Sequence, residues 1–391
     1  MKSRSELRAD TPGCAHCIHL NNAGAALPPR PVLQAMQDYL ALEAEIGGYE
    51  AADFKASAID QFYMAVAQML GARARNIAFA GSATDAYARA LSAVPFQPGD
   101  VMLTTENDYV SNQIAFLSLQ KKRGVRIVRA ADAPEGGVDV GDMERLVRTQ
   151  HPALVAVTHV PTNSGLIQPA ETIGRLCREN GIWYLVDACQ SAGQMPLNVE
   201  QIGCDFLAAT FRKFLRGPRG AGFLFVSDRA LDAGLEMLLP DMRGAQWTAP
   251  DAYVPVADAR RFEYWEMAPA LILGARAAVE YALETGLEAI RESVGQLAAK
   301  TRTMLPALPG VQVLDRGANL SGIVTAWSPA WEAQRLMAHL SDHRINCRIS
   351  TIGSARIDFG RKNVPWALRI SPHYYNTEAE IDTLIEVLSR Y

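Results

Sequence analysis

The chain has 391 residues, 49% hydrophobic and 20% charged, which is enough to bury a large core in one or two domains and excludes a disordered or fibrous class. A formal net charge of -4 and a pI near 6.0 leave no basic surface for nucleic acid or an anionic membrane, and point to a small-molecule partner. The chain does not open on an apolar secretory core, and no run of about 18 apolar residues follows, so a cytoplasmic protein is expected.

Six cysteines, at Cys14, Cys17, Cys177, Cys189, Cys204 and Cys347, are scattered as reduced thiols are and do not form a disulfide framework. Cys14-x-x-Cys17 has no second pair at zinc-ligand spacing, so no metal is expected and residues 1–25 read as an N-terminal arm packing with a smaller domain.

Between Asn76 and Val226, seven short apolar runs (IAFA, VMLTT, RIVRA, LVAVTHV, IWYLVDA, FLAAT and GFLFV) alternate with amphipathic stretches such as PAETIGRLCREN. This alternation predicts an α/β domain over residues 26–260, a large and mostly parallel seven-stranded sheet with helices on both faces. After an irregular stretch, a long helical pattern leads into a strand-rich segment and a last amphipathic helix, EAEIDTLIEVLSR, so residues 261–391 read as a smaller α+β C-terminal domain.

Ligands in such sheets sit beyond the carboxyl ends of the strands, which makes three loops informative. The run IAFA turns through Gly81-Ser82-Ala83-Thr84 into a helix, placing free N–H groups and a hydroxyl at one point, as a phosphate cup or an ordinary N-capped turn would. The strand IWYLVDA ends in Asp187, with Gln190 three residues on. A carboxylate at a buried sheet edge needs a cationic partner, and the pyridinium N–H of pyridoxal 5′-phosphate (PLP) is one. The next strand runs into Thr210-Phe-Arg-Lys213 before a Gly/Pro turn, and an amine placed there can form an imine with an aldehyde cofactor and later act as a base.

Taken in order, these motifs resemble the class V group of fold-type I PLP enzymes, which includes cysteine desulfurases, isopenicillin-epimerase-like proteins and hercynylcysteine sulfoxide lyases. The supporting blocks are HLNNAGAALPP, IGGYEAAD, TTENDYVSN, THVPTNSG, VDACQSAGQ, TFRKFLRGPRGAGFL and LRISPHYYNTEAEID, which span nearly the whole chain. The resemblance implies a Schiff-base lysine at Lys213, pyridine pairing at Asp187 and a ring-hydroxyl contact at Gln190. It implies phosphate contacts at Ser82, Ala83, Thr84 and Thr210, with Arg212 standing where many relatives have histidine. Asn163 would lie near the ring oxygen, although Thr162 matches equally well if the loop is offset by one. Tyr109 would stack on the ring, with Asp108 as its nearest competitor. Asn22, Tyr49 and Arg369 would meet the amino-acid substrate, Arg369 gripping its carboxylate. Relatives are homodimers with shared sites, so Tyr49 or the RRFEYWE block is expected to serve a partner, although Trp265 and Glu266 stand where the family has a glycine-threonine phosphate contact.

The sequence departs from desulfurases in one respect. Their mobile loop carries a nucleophilic cysteine, and STIGSARIDFGRKNVPW has none. Cys347 lies just upstream in an apolar run, where a buried structural thiol is expected. The expected reaction is therefore β-elimination from an S-substituted cysteine, releasing a thiol or sulfenate with pyruvate and ammonia. Transamination and epimerisation remain open as alternatives.

Overall fold

The structure, a computed structural model, describes residues 2–391. Its large sheet holds seven strands: β1 (Ile77–Ala80), β2 (Val101–Thr105), β3 (Arg126–Ala130), β4 (Leu154–Thr158), β5 (Trp183–Asp187), β6 (Phe206–Thr210) and β7 (Gly222–Val226). They lie in the order β1-β7-β6-β5-β4-β2-β3. Strand β7 runs antiparallel to both β1 and β6, and every other pairing is parallel.

Helices cover both faces, so the central strands are buried throughout and read as unbroken apolar runs without alternation. Only β3, at the edge, exposes residues along its length. Because β7 reverses direction twice over, β1 ends on the same edge as β2 to β6. Ala80, Thr105, Thr158, Asp187 and Thr210 therefore all close strands at one rim.

A second, antiparallel sheet joins β8 (Gln312–Val313), β9 (Val324–Trp327), β10 (Arg348–Thr351) and β11 (Trp366–Ile370) in the order β8-β9-β11-β10. Its core includes Leu297, Leu336, Leu340 and Leu384 from three covering helices, and Leu20 from the N-terminal segment. Ile18–His19 pairs in parallel with Ile345–Asn346, and Asn21 bridges Ser371, so the first residues run along this second sheet.

The helix Pro269–Thr285 differs from expectation. Ile272, Ala275 and Val279 belong to the main core with the large sheet, so hydrophobic packing carries that unit past the limit at residue 260 that the sequence suggests. No helix among the described residues is long and apolar enough to cross a membrane.

Candidate active site

At the rim, β1 leads through Gly81 and Ser82 into the helix Ala83–Ala93. Ser82 caps it, its hydroxyl accepting from the Asp85 N–H at 3.1 Å, while the N–H groups of Ala83 and Thr84 in the first turn have no intrahelical acceptor. Gly222 sits between Ala80 and Thr210 in register. A Cβ there would lie 2.6 Å from the Ser82 carbonyl carbon and 2.8 Å from the Ala83 nitrogen, so glycine is what lets the cup close against β7. Thr210 is buried and bonds the Ala221 carbonyl at 3.3 Å.

Lys213 follows β6 in a loop shaped from both sides. Gly193, at φ +81°, leaves room for the Phe214 and Leu215 backbone. Arg216, fully buried at φ +60°, donates to the Leu27 carbonyl at 2.9 Å and to Tyr374 Oη at 2.7 Å. His373 Nε2 donates to the Phe214 carbonyl at 2.8 Å, a tautomer fixed by the Tyr374 N–H pointing at Nδ1. Nothing in the sequence marked Arg216 or His373 as supports of the loop, because their partners are distant in the chain.

Burial holds the Lys213 amine below the usual lysine range, with Arg212 and Arg369 adding to the effect against the opposing influence of Cys189 and Asp187. Its Nζ lies 5.8 Å from the centre of the Tyr109 ring. Asp187 Oδ2 accepts from Asn112 at 3.0 Å and Oδ1 from the Cys189 N–H at 2.9 Å, leaving each oxygen capacity for a further donor. Asp108 is buried and accepts from Gln113 at 2.9 Å, the Tyr109 N–H at 2.6 Å and Thr158.

Gln190 donates to the Ala23 carbonyl at 3.0 Å and to Thr162 Oγ1 at 2.8 Å, and its buried carbonyl oxygen has no partner. Thr162 also accepts from Arg369, which reaches Asn21 Oδ1 at 3.2 Å with its other terminal nitrogen. Both of Arg369's partners are neutral and its buried Nε has none. Desolvation, with Arg348 and Arg212 nearby, lowers its pKa to about 10. Arg348 stands directly across from it in the β10–β11 register and is exposed, a second cation beside the first.

Several expected residues take other places. Asn163 is one residue off the cluster: its amide donates to Asn107 and Asp358, and Thr162 occupies the position beside Gln190 and Arg369. Asn22 is likewise offset, its side chain donating to the Ser371 carbonyl at 2.7 Å and accepting from Tyr375, while Asn21 faces Arg369. Arg212 bonds the Gly24 carbonyl of the N-terminal segment. Tyr49 is 75% exposed and far from full packing within this chain.

The family model described as aminotransferase class V matches residues 18–384. The chain belongs to that family. It is similar, at 27% identity and over 99% of this chain and 97% of the relative, to a probable cysteine desulfurase of Pyrococcus abyssi. A probable hercynylcysteine sulfoxide lyase of Mycobacterium tuberculosis is 28% identical, over 95% of this chain and 89% of the relative. Among solved structures, an apo cysteine desulfurase from Thermococcus onnurineus superposes with a TM-score of 0.92 at 26% identity, covering 100% of this chain and 98% of its own.

Class V membership makes this a PLP-dependent enzyme of fold type I, and the residues fit the cofactor. A buried lysine, a carboxylate with spare acceptor capacity, an unmatched Gln190 oxygen and a helix N-terminus with free N–H groups together present the partners that an aldehyde, a pyridinium, a ring substituent and a phosphate require.

Proposed function

We propose that the chain is a C–S β-lyase acting on an S-substituted cysteine, converting it with water to a thiol, pyruvate and ammonia. The observation that carries the reading is Arg369, a buried guanidinium whose partners are neutral and whose Nε is unmatched, at the mouth of a site containing Lys213. A planar fork in that state suits a carboxylate, which would supply the charge and acceptors now missing.

In this reading Ala83, Thr84, Thr210 and Ser82 hold the cofactor phosphate, Tyr109 covers the ring, and Asp187, Gln190 and Thr162 hold its edges. Bound PLP withdraws electrons from the substrate α-carbon and so acidifies its hydrogen. Arg369 fixes the α-carboxylate, with Asn21 beside it. That contact orients the Cα–H bond towards Lys213, whose amine burial holds below the usual lysine range and which takes the proton. The sulfur then leaves Cβ with its bonding electrons.

Elimination is favoured over sulfur capture because no thiol is poised to receive the sulfur. Residues 351–363 contain no cysteine. Cys347 is buried, and desolvation pushes its pKa up to about 12, too high for an appreciable thiolate fraction. Burial raises Cys189 as well. We further propose a homodimer whose exposed Tyr49 serves the opposite site.

The test is to supply the holoprotein with a series of S-substituted cysteines and measure thiol and pyruvate. One equivalent of each per substrate is expected, with both lost in Lys213→Ala along with the absorbance band of the bound cofactor. If no cysteine conjugate yields pyruvate and an added keto acid is aminated in stoichiometric exchange, the enzyme is an aminotransferase.

A further inference from the structure

A cavity of about 370 Å³ that none of these roles uses lies between the helix Val110–Arg123 and the segment 353–358. Val110, Ile114, Leu117 and Ile357 give it an apolar side, and Asn107 and Asn163 a polar one. It lies next to the site along the chain: Val110 and Asn163, which line it, directly follow Tyr109 and Thr162.

The acids of this wall are already engaged. Glu106 pairs with Arg361, Asp358 pairs with Lys362 at 2.8 Å, and Asp108 is satisfied by the donors described above. Arg129 donates to Gln113 at 2.7 Å, and Arg356 stands exposed at the rim. Nothing here calls for a cation. Asn163 is different: it is 1% exposed, and its amide nitrogen donates to Asn107 Oδ1 at 3.1 Å and Asp358 Oδ2 at 2.9 Å. A carboxylate only accepts, so the amide orientation is fixed and the atom left without a partner is the Asn163 carbonyl oxygen.

We infer that this cavity receives the distal part of the substrate side chain, an apolar stem ending in an uncharged N–H donor that bonds Asn163 Oδ1. The inference rests on the amino-acid reading of the neighbouring site and adds its specificity. The volume suits a side chain of several heavy atoms, within the range of small-molecule pockets.

The 6-(N-methylamide) and the 6-methyl ester of L-2-aminoadipate test this, because they match in length, differ by the N–H donor and carry no sulfur to eliminate. Calorimetric titration of the holoprotein should show the amide binding about 3- to 10-fold more tightly than the ester, the effect of one neutral hydrogen bond. Asn163→Leu should abolish the preference. Leu117→Trp, at a half-exposed position, should fill the cavity and weaken both ligands while L-alanine, too short to reach it, binds as before. Equal binding of amide and ester to the wild type, or no effect of Leu117→Trp, would overturn the inference. L-Alanine separates the two levels: if it binds and the pair is not discriminated, only the cavity assignment fails, whereas if no amino acid binds, the site reading fails with it.

Discussion

Asn21 and Asn22 are neighbours in sequence with separate tasks. Asn22 is fully buried, donating to the His19 carbonyl at 3.2 Å and the Ser371 carbonyl at 2.7 Å and accepting from Tyr375, so it ties the N-terminal segment to the strand that carries Arg369. Asn21 instead offers its carbonyl oxygen to Arg369 itself. Replacing Asn22 with alanine leaves buried groups unmatched and should cost about 2–4 kcal/mol of stability in denaturant melts. Asn21→Ala should stay within about 0.5 kcal/mol of the wild type yet raise KM for the amino acid several-fold. The opposite pattern would show that Asn21 is structural and that Asn22 meets the substrate. The motif HLNNAG contains both residues but no local signal of which side chain turns towards the site. That choice is made by the bridge from Asn21 to Ser371, some 350 residues away. Thr162 and Asn163 pose the same problem in a loop without periodicity, whereas Asp187 ends a strand and Lys213 follows one by three residues, so apolar runs locate both.

Six of the seven strands were legible as short apolar runs buried on both faces, while β3 is the partly exposed edge strand. Their order was not, nor the reversal of β7, since pairing is decided between elements. That reversal has a chemical consequence: it sets Gly222 between the phosphate cup and Thr210. In Gly222→Ala the added methyl would meet backbone atoms at 2.6 and 2.8 Å, which no side-chain rotation relieves. The expected outcome is a loss of roughly 1–3 kcal/mol in stability, together with at least a tenfold rise in the cofactor dissociation constant followed by absorbance. Gly295→Ala provides the contrast. It lies inside the helix Leu287–Met304 with nothing within 4 Å, and should be neutral or stabilising by about 0.5–1 kcal/mol with cofactor binding unchanged. If the two variants bind the cofactor alike, the cup does not depend on the approach of β7.

At the scale of the whole molecule, the surface is unevenly finished. The hairpin Ala245–Ala249 and Ala252–Pro255 stands out from the core with Trp247 78% exposed, and Tyr253, Val254, Leu238, Leu239 and Met242 are exposed around it. A two-stranded hairpin is marginal in water without cover, and exposed apolar side chains around it fit the proposed interface between copies. Tyr49 and Phe54, 75% and 71% exposed on the helix Gly48–Phe54, add a second such area. In the proposed homodimer a second copy of the chain would cover both and bring Tyr49 to the opposite site. Light scattering should therefore give twice the chain mass, and Trp247→Glu, which places a charge on the surface proposed to be covered, should shift the mass towards the single chain. If sites are shared, activity should fall in proportion to the dimer lost and recover as protein concentration is raised. A monomeric Trp247→Glu protein with full activity per chain would instead show that Lys213, Asp187 and Arg369 work without a neighbour.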